Sequence, residues 1–235
     1  MRGQPPGEVV LNTSRKTAIC VMAKLPKPGK VKTRLIPAVG VEGAARLAQA
    51  FLEDTLQCVS RLDWAFPILA CTGFRRRDFH CEVWPQDEGG LGIRQENVLR
   101  RALENFNSAI LIGSDCPGLP VSRLESARDA LENSDTVLGP SLDGGYYLIG
   151  MKRCPPGLLS GITWSQADTC NQVIARLKNS GMRVTVIDPW FDIDTPEDLA
   201  RLAARVNSGE IIAPSSAATL WTFLHPAEKL DLVRT

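Results

Sequence analysis

The sequence predicts an α/β fold in which helices cover a mostly parallel sheet. Two observations predict it. Short apolar runs alternate with stretches of helical periodicity along the chain. One run, Ile110, Leu111 and Ile112, has no alternating polar partner, so it reads as a strand buried on both faces. Gly113, Pro117, Gly118 and Pro120 stop that strand. Asp115 therefore lies just past its carboxyl end, where open α/β sheets bind ligands.

The elements follow in order. Residues 1–16 carry Pro5, Pro6 and two glycines and are expected to form a flexible leader. The apolar run at 17–23 is the first strand. Residues 24–34 hold five basic side chains, two prolines and a glycine, which make a positive loop on a restricted path. Between 41 and 62, Ala44, Leu47, Ala48, Phe51, Leu52, Leu56 and Val59 recur at helical spacing. Residues 64–71 form a second strand, 75–77 a solvated turn and 79–84 a third strand. A glycine-containing loop at 85–92 leads into a helix over 93–105. After the Asp115 turn, Ser122 and Glu125 have capping-box spacing, so a helix begins at Ser122 and ends near Asn133.

Residues 136–139 are a fifth strand. Asp143, Gly144 and Gly145 form a turn into a strand at 146–149. Ser165 is the expected N-cap of a helix to 179, with Gly181 as its stop. A strand at 183–187 precedes a helix with Thr195 at N-cap and Pro196 at N1. The chain from about 208 on, with Pro214 and an apolar stretch at 220–224, reads as a C-terminal appendage that packs on the body or on a second copy.

A chain of 235 residues with ordinary apolar and charged fractions is expected to be a soluble globular protein. A formal net charge of +1 gives no bulk attraction to nucleic acid or to an anionic membrane, so anion binding must come from local clusters. The seven cysteines are odd in number, scattered and without a C-x-x-C pair, which argues against a disulfide framework or zinc site and for a reducing cytoplasm. Residues 1–16 lack a signal-peptide pattern, and no apolar run approaches the length of a membrane helix.

Three places bear on one another: the basic loop, Asp115, and the acidic turn Asp192/Asp194 after the last strand. In a parallel sheet the loops after strands emerge on one edge. Cations there can hold phosphate oxygens, and carboxylates can hold a divalent metal bridging them. Each has a plainer reading. Turn aspartates cap their own backbone, basic loops are solvated, and Asp192 and Asp194 could support the final helix dipole, the role assigned to Asp198. Gly144 and Gly145 permit close backbone approach to a ligand, and Tyr146 and Tyr147 offer a ring face and hydroxyls. Walker A, G-x-G-x-x-G and G-x-S-x-G patterns are absent, and His80 and His225 make no convincing nucleophile–base pair. Cys116 reads as a small buried residue.

These residues also resemble a known family. Ala23-Lys-Leu-Pro-Lys-Pro-Gly-Lys-Val-Lys-Thr-Arg-Leu35, Gly113-Ser-Asp-Cys-Pro-Gly-Leu119, Asp143-Gly-Gly-Tyr-Tyr-Leu-Ile-Gly150, Trp164-Ser165 and Asp192-Ile-Asp-Thr-Pro-Glu-Asp-Leu199 are similar, in order, to segments of the DUF2064 group. These are GT-A-like glycosyltransferases that include the arsenosugar biosynthesis and radical-SAM/selenodomain-associated transferases. More distantly, the chain is similar to nucleotidyltransferases that make cofactors.

The resemblance implies a nucleotide-diphospho-sugar transferase (GT-A, Rossmann-like) fold over residues 17–206: a mostly parallel mixed sheet with one antiparallel strand and helices on both faces. It implies Asp115 as metal-binding aspartate, with Asp192 or Asp194 as second contact, and Asp115 and Asp143 as catalytic carboxylates. Ala23, Lys24, Lys32, Arg34, Gln86, Arg94 and Ser114 would serve the nucleotide and its phosphates. Gly144, Gly145, Tyr146 and Trp164 would lie on the acceptor or sugar side. One segment departs from the pattern: Gly90 stands where the group has an aspartate.

The expected activity is metal-dependent glycosyl transfer from a nucleotide-sugar to a small acceptor, with Mg²⁺ or Mn²⁺ as cofactor. The alternatives are nucleotidyl transfer to a small phosphorylated substrate with release of pyrophosphate, and nucleotide binding without turnover. No nucleic acid or membrane partner is expected, and the 220–224 segment would suit a homodimer interface.

Overall fold

The computed structural model describes residues 17–73 and 81–224. The expected leader at 1–16, the turn at 75–77, the start of the third strand at 79–80, His80 and His225 lie outside the described residues.

A seven-stranded sheet organises the described chain. Its strands are β1 (Thr17–Lys24), β2 (Ala65–Thr72), β3 (Glu82–Pro85), β4 (Ser108–Gly113), β5 (Thr136–Pro140), β6 (Tyr146–Met151) and β7 (Val184–Val186). The spatial order is β3-β2-β1-β4-β6-β5-β7. β6 runs antiparallel to both β4 and β5, and the other pairs are parallel. This is the mostly parallel mixed sheet that the resemblance implies, with one reversed strand inserted beside the centre.

The helices are α1 (Ile36–Ser60), α2 (Leu91–Leu103), α3 (Val121–Asn133), α4 (Thr169–Asn179), α5 (Pro196–Asn207) and α6 (Pro214–Leu224). Strand alternation sorts the core into two faces. Ala18, Cys20, Ala109 and Leu111 meet Val98, Leu99, Val173 and Leu177 from α2 and α4. Ile19, Val21, Ile110 and Ile112 meet Leu52, Val59, Leu124 and Ala127 from α1 and α3. β4 is thus buried on both faces. A third cluster, with Leu47, Phe51, Leu202 and Leu220, joins α1 to α5 and α6. Full burial of each such large apolar side chain stabilises the fold by roughly 1.5–3 kcal/mol.

Two helix starts are capped differently from the sequence reading. α3 begins at Val121 with Pro120 at N-cap and no side-chain cap, so Ser122 and Glu125 form no capping box. α4 begins at Thr169, after Asp168, and Ser165 instead adopts a left-handed φ of 59°. Regular α1 starts at Val41, where the apolar spacing places it, because Gly40 has φ 74° and ψ 172° and breaks the helical path before it. The helix at Thr33–Ser60 has the length and hydropathy to cross a bilayer, contrary to the expectation that no run approaches this, yet 44% of that window is buried in the fold. Its Leu52 and Val59 lie in the sheet core, so it packs as a core helix.

Candidate functional site

All strands but β6 point the same way, so the loops after β1 and β4 leave on one edge. The loop after β1 turns at Gly29 (φ 72°), and Lys32 takes a left-handed conformation (φ 45°, ψ 43°) just before a 3-10 turn at Thr33–Leu35. That backbone sends the Lys32 side chain inward, where only 6% of it is exposed. Its ammonium lies 3.1 Å from Asp115 Oδ1 and 2.8 Å from Asp194 Oδ1. It also donates to the Ile193 carbonyl at 2.7 Å. Three donors meet three acceptors, so the ammonium is saturated. Burial works against the Lys32 charge, but Asp115 and Asp194 outweigh it and hold its pKa above the ordinary lysine value. Arg34 Nη1 adds a looser contact to Asp194 at 3.8 Å. Burial raises the Asp194 carboxyl, and Lys32 and Arg34 overcome this to leave its pKa below the usual value.

The two acidic segments are also tied through backbone, since Ile193 N–H donates to the Asp115 carbonyl at 3.0 Å. Asp198 holds the turn from the other side. Its carboxylate accepts from Asp194 and Thr195 N–H at 3.2 and 3.0 Å, and Thr195 caps α5 in return through a capping box. Asp192 has a different environment. Burial, with Asp143 and Asp194 nearby, pushes its carboxyl up to about 6. An isolated bridge between Ser141 and Trp190 extends the β5–β7 pairing and brings the Asp143 and Asp192 segments together.

Beside these groups opens a cavity of about 440 Å³. Of the residues singled out in the sequence, Ala23, Lys24, Lys32, Arg34, Gln86, Arg94, Ser114, Asp115, Tyr146 and Asp194 line it. Lys30 and Thr33 from the basic loop and Tyr147 line it too, as does Gln95, which no sequence signal marked for that place. Gln86 fixes one end of the cavity. Its Nε2 donates to the Ala23 and Ala70 carbonyls at 2.8 and 2.7 Å, and its Oε1 accepts from Arg94 Nη1 at 3.0 Å. Arg94 Nε is buried without a hydrogen-bond partner among the described residues. The Tyr146 hydroxyl donates to Gln95 Oε1, and burial raises its pKa.

Asp143, Gly144, Gly145, Trp164 and Asp192 are not on the cavity wall. Gly144 (φ 92°) is indeed a point of close approach, but to the chain itself: a Cβ there would lie 2.1 Å from the Ala167 carbonyl oxygen. Asp143 accepts from the Ser141 hydroxyl and from Gly145 N–H at 3.0 Å, closing its own turn. Trp164 meets Tyr146 edge-on at 6.3 Å, and a Cβ on Gly92 would lie 2.9 Å from its ring. It therefore packs on Tyr146 and α2 rather than on the cavity wall. Cys116 is buried, as a small core residue, and burial together with Asp115 and Asp192 raises its thiol well above the ordinary value.

Residues 45–166 match the profile of DUF2064, described as an uncharacterized protein conserved in bacteria. The chain belongs to the DUF2064 family. Among solved structures, this DUF2064 chain is similar to a candidate nucleotide-diphospho-sugar transferase from Desulfovibrio desulfuricans G20, at 29% identity and a TM-score of 0.79, covering 92% of this chain and 96% of that one. A cytidylyltransferase from Leptospira borgpetersenii serovar Hardjo-bovis shares the fold at 13% identity and a TM-score of 0.56, covering 93% and 96%. A CMP:2-keto-3-deoxy-manno-octonic acid synthetase complexed with CTP shares it at 11% identity and a TM-score of 0.56, covering 83% and 99%. No curated protein matches this DUF2064 chain by sequence.

Among the described residues, no three Asp, Glu, His or Cys side chains form a ready-made metal cage. Asp115 and Asp194 nevertheless supply hard oxygen donors to one point, the Lys32 ammonium. Mg²⁺ is commonly held by one or two carboxylates, with substrate phosphates completing its shell. The donor set therefore fits a Mg²⁺ or Mn²⁺ ion that shares its ligands with a bound diphosphate.

Proposed function

We infer that this DUF2064 chain is a transferase acting on an activated nucleotide, and that its reaction is glycosyl transfer from a nucleoside diphosphate sugar to a small acceptor. The carrying observation is the meeting of a basic loop with Asp115 and Asp194 at the rim of one cavity, around the Lys32 ammonium. The likeness to the Desulfovibrio desulfuricans protein supports the same reading.

In this reading the diphosphate lies along the loop after β1. Lys24 and Arg34 bind its oxygens, and Lys32 meets them from below. Ser114 adds a hydroxyl at the start of the Asp115 turn. The nucleoside end enters toward Gln86 and Arg94. The rigid Gln86 amide fixes that wall, and Arg94 offers a guanidinium to the base or ribose. Tyr146 faces the sugar side, with Trp164 setting its position. Asp143, held by Ser141 and Gly145, bounds the acceptor side next to Asp192. Charge develops on the departing diphosphate as the glycosidic bond breaks, and cations preorganised there stabilise it. Asp115 and Asp194, with Asp192 close by, would hold a divalent ion, which when bound supplies Lewis-acid stabilisation of the leaving diphosphate.

The test is a thermal-shift panel of nucleoside diphosphates, nucleoside diphosphate sugars and triphosphates, with and without Mn²⁺. Product analysis of the stabilising compounds follows. We expect a nucleoside diphosphate sugar to stabilise the protein and a nucleoside diphosphate to appear on turnover. Pyrophosphate released from a triphosphate would replace this reading with nucleotidyl transfer. No shift with any nucleotide would sink both.

A further inference from the structure

We propose that Lys32 is the resident cation of the nucleotide-free site, that it keeps a free divalent ion out, and that a diphosphate admits the ion by drawing the ammonium away. This rests on the transferase reading for its second half only. The first half rests on geometry. The Lys32 ammonium has three N–H groups and three short contacts, to Ile193 O, Asp194 Oδ1 and Asp115 Oδ1. One is a carbonyl and two are carboxylates, an all-oxygen set of the kind a hard divalent ion takes. The lysine stem arrives from a left-handed backbone position and is almost wholly buried, so the ammonium is delivered to this point by the fold.

A free Mg²⁺ or Mn²⁺ ion that approaches must displace a charge already paired twice and must shed part of its own hydration shell. Both terms oppose entry, and among the described residues no third carboxylate joins at the same point to offset them. A diphosphate changes the balance. It brings negative oxygens to which the Lys32 ammonium can transfer its N–H groups without losing its charge pairing. Asp115 and Asp194 are then left without their common cation, and repulsion between them favours a new one. Asp115 and Asp194 would then hold a divalent ion in place of the ammonium, beside the diphosphate. Metal and diphosphate binding are therefore positively coupled, and the coupling is reciprocal. Lys32 serves one anion pair in the resting protein and another in the complex.

The experiment titrates Mn²⁺ into the full chain and follows the free ion by electron paramagnetic resonance. Wild type and Lys32→Met are compared, each alone and with inorganic pyrophosphate, against protein-free controls. Alone, wild type is expected to bind Mn²⁺ at least tenfold more weakly than Lys32→Met. With pyrophosphate, wild type is expected to gain tenfold or more in Mn²⁺ affinity, and Lys32→Met to gain much less. If Lys32→Met does not fold, Lys32→Gln keeps N–H donors between the carboxylates and carries the same comparison. A variant that binds Mn²⁺ no more tightly than wild type overturns the proposal. So does a wild type that binds it equally well with and without pyrophosphate while pyrophosphate itself binds. No pyrophosphate binding, with the gain in Lys32→Met intact, removes the transferase reading and the handover but upholds the exclusion of the free ion.

Discussion

The carboxylate of Asp54 on α1 is joined to Ser216 on α6 by two hydrogen bonds, from the Ser216 N–H at 2.8 Å and its hydroxyl at 2.6 Å. Ser215 N–H adds a third at 2.8 Å. Asp54 is almost fully buried, so one side chain of α1 satisfies the first turn of a helix far along the chain. Asp54→Ala strands two backbone N–H groups and is expected to cost about 2–4 kcal/mol. Asp54→Asn, which keeps one acceptor, should cost about half as much. Chemical denaturation measures both. Hydrogen exchange should show faster opening of α6 than of β1 in the alanine variant, and equal opening would mean that Asp54 does not anchor α6.

Gly144 is the turn position with least room for change. Its φ of 92° is unfavourable for any side chain, and a Cβ would overlap the Ala167 backbone. The Gly144 carbonyl also accepts from Cys170 N–H at 2.9 Å, at the start of α4. Gly144→Ala is expected to destabilise the protein by about 3 kcal/mol or more, by strain and overlap together. A loss under about 1 kcal/mol in thermal or urea unfolding would show that the 165–168 segment moves aside freely.

Asp192 gives a pH dependence with a definite sign. Its folded-state pKa is raised from 3.8 to about 6, first by burial and then by Asp143 and Asp194. The folded protein therefore holds this proton more tightly than the unfolded chain does. Below the ordinary carboxylate range both states are protonated and there is no penalty. The penalty grows as pH rises from about 4 to about 6 and is constant above that. Asp192→Asn should thus raise the melting temperature at pH 7 but not at pH 4, with the metal chelated. The group is partly exposed, so the gain should be only of order 1 kcal/mol. A gain of equal size at both pH values would show that charge is not its origin.

Much of this was readable from local pattern. Ile110, Leu111 and Ile112 announced a doubly buried strand because no polar residue interrupts them, and Thr195-Pro196 announced a helix start because cap and N1 chemistry are local. The misread starts have local causes too. Ser122 has the right neighbour at Glu125, but Pro120 had already set an extended N-cap with fixed φ, so the serine falls inside the helix. Ser165 precedes a turn rather than a helix, because the segment to Asp168 folds over Gly144. α6 owes its place to Asp54 and α1, which no window of sequence around it contains. At the site, the signs of the charges and their edge of the sheet were legible. That Lys32, and not Lys24 or Arg34, would take both carboxylates depends on the left-handed turn at Lys32 itself, a conformation that few lysines adopt.

Asp115 and Asp194 share one ammonium but differ in what else they hold, so their asparagine variants should separate ligand binding from stability. Asp115 is half exposed, and Lys32 is its one ion-pair partner shown among the described residues. Asp194 is nearer to Lys32 and is also approached by Arg34. Asp115→Asn leaves Lys32 paired with Asp194, so the fold should lose less than about 1 kcal/mol. Asp194→Asn leaves a nearly buried ammonium with its longer ion pair alone and should cost about 1–3 kcal/mol. For ligand binding the order should disappear. Both variants remove one of two carboxylates from the proposed ion, and each should lower Mn²⁺-dependent nucleotide affinity tenfold or more. Affinity for the same nucleotide without Mn²⁺ should rise or stay level, because a negative charge beside the phosphates is gone. Isothermal titration with and without Mn²⁺ reads both quantities. If Asp115→Asn keeps full Mn²⁺-dependent affinity, this carboxylate serves only Lys32, and the ion, if any, is held elsewhere.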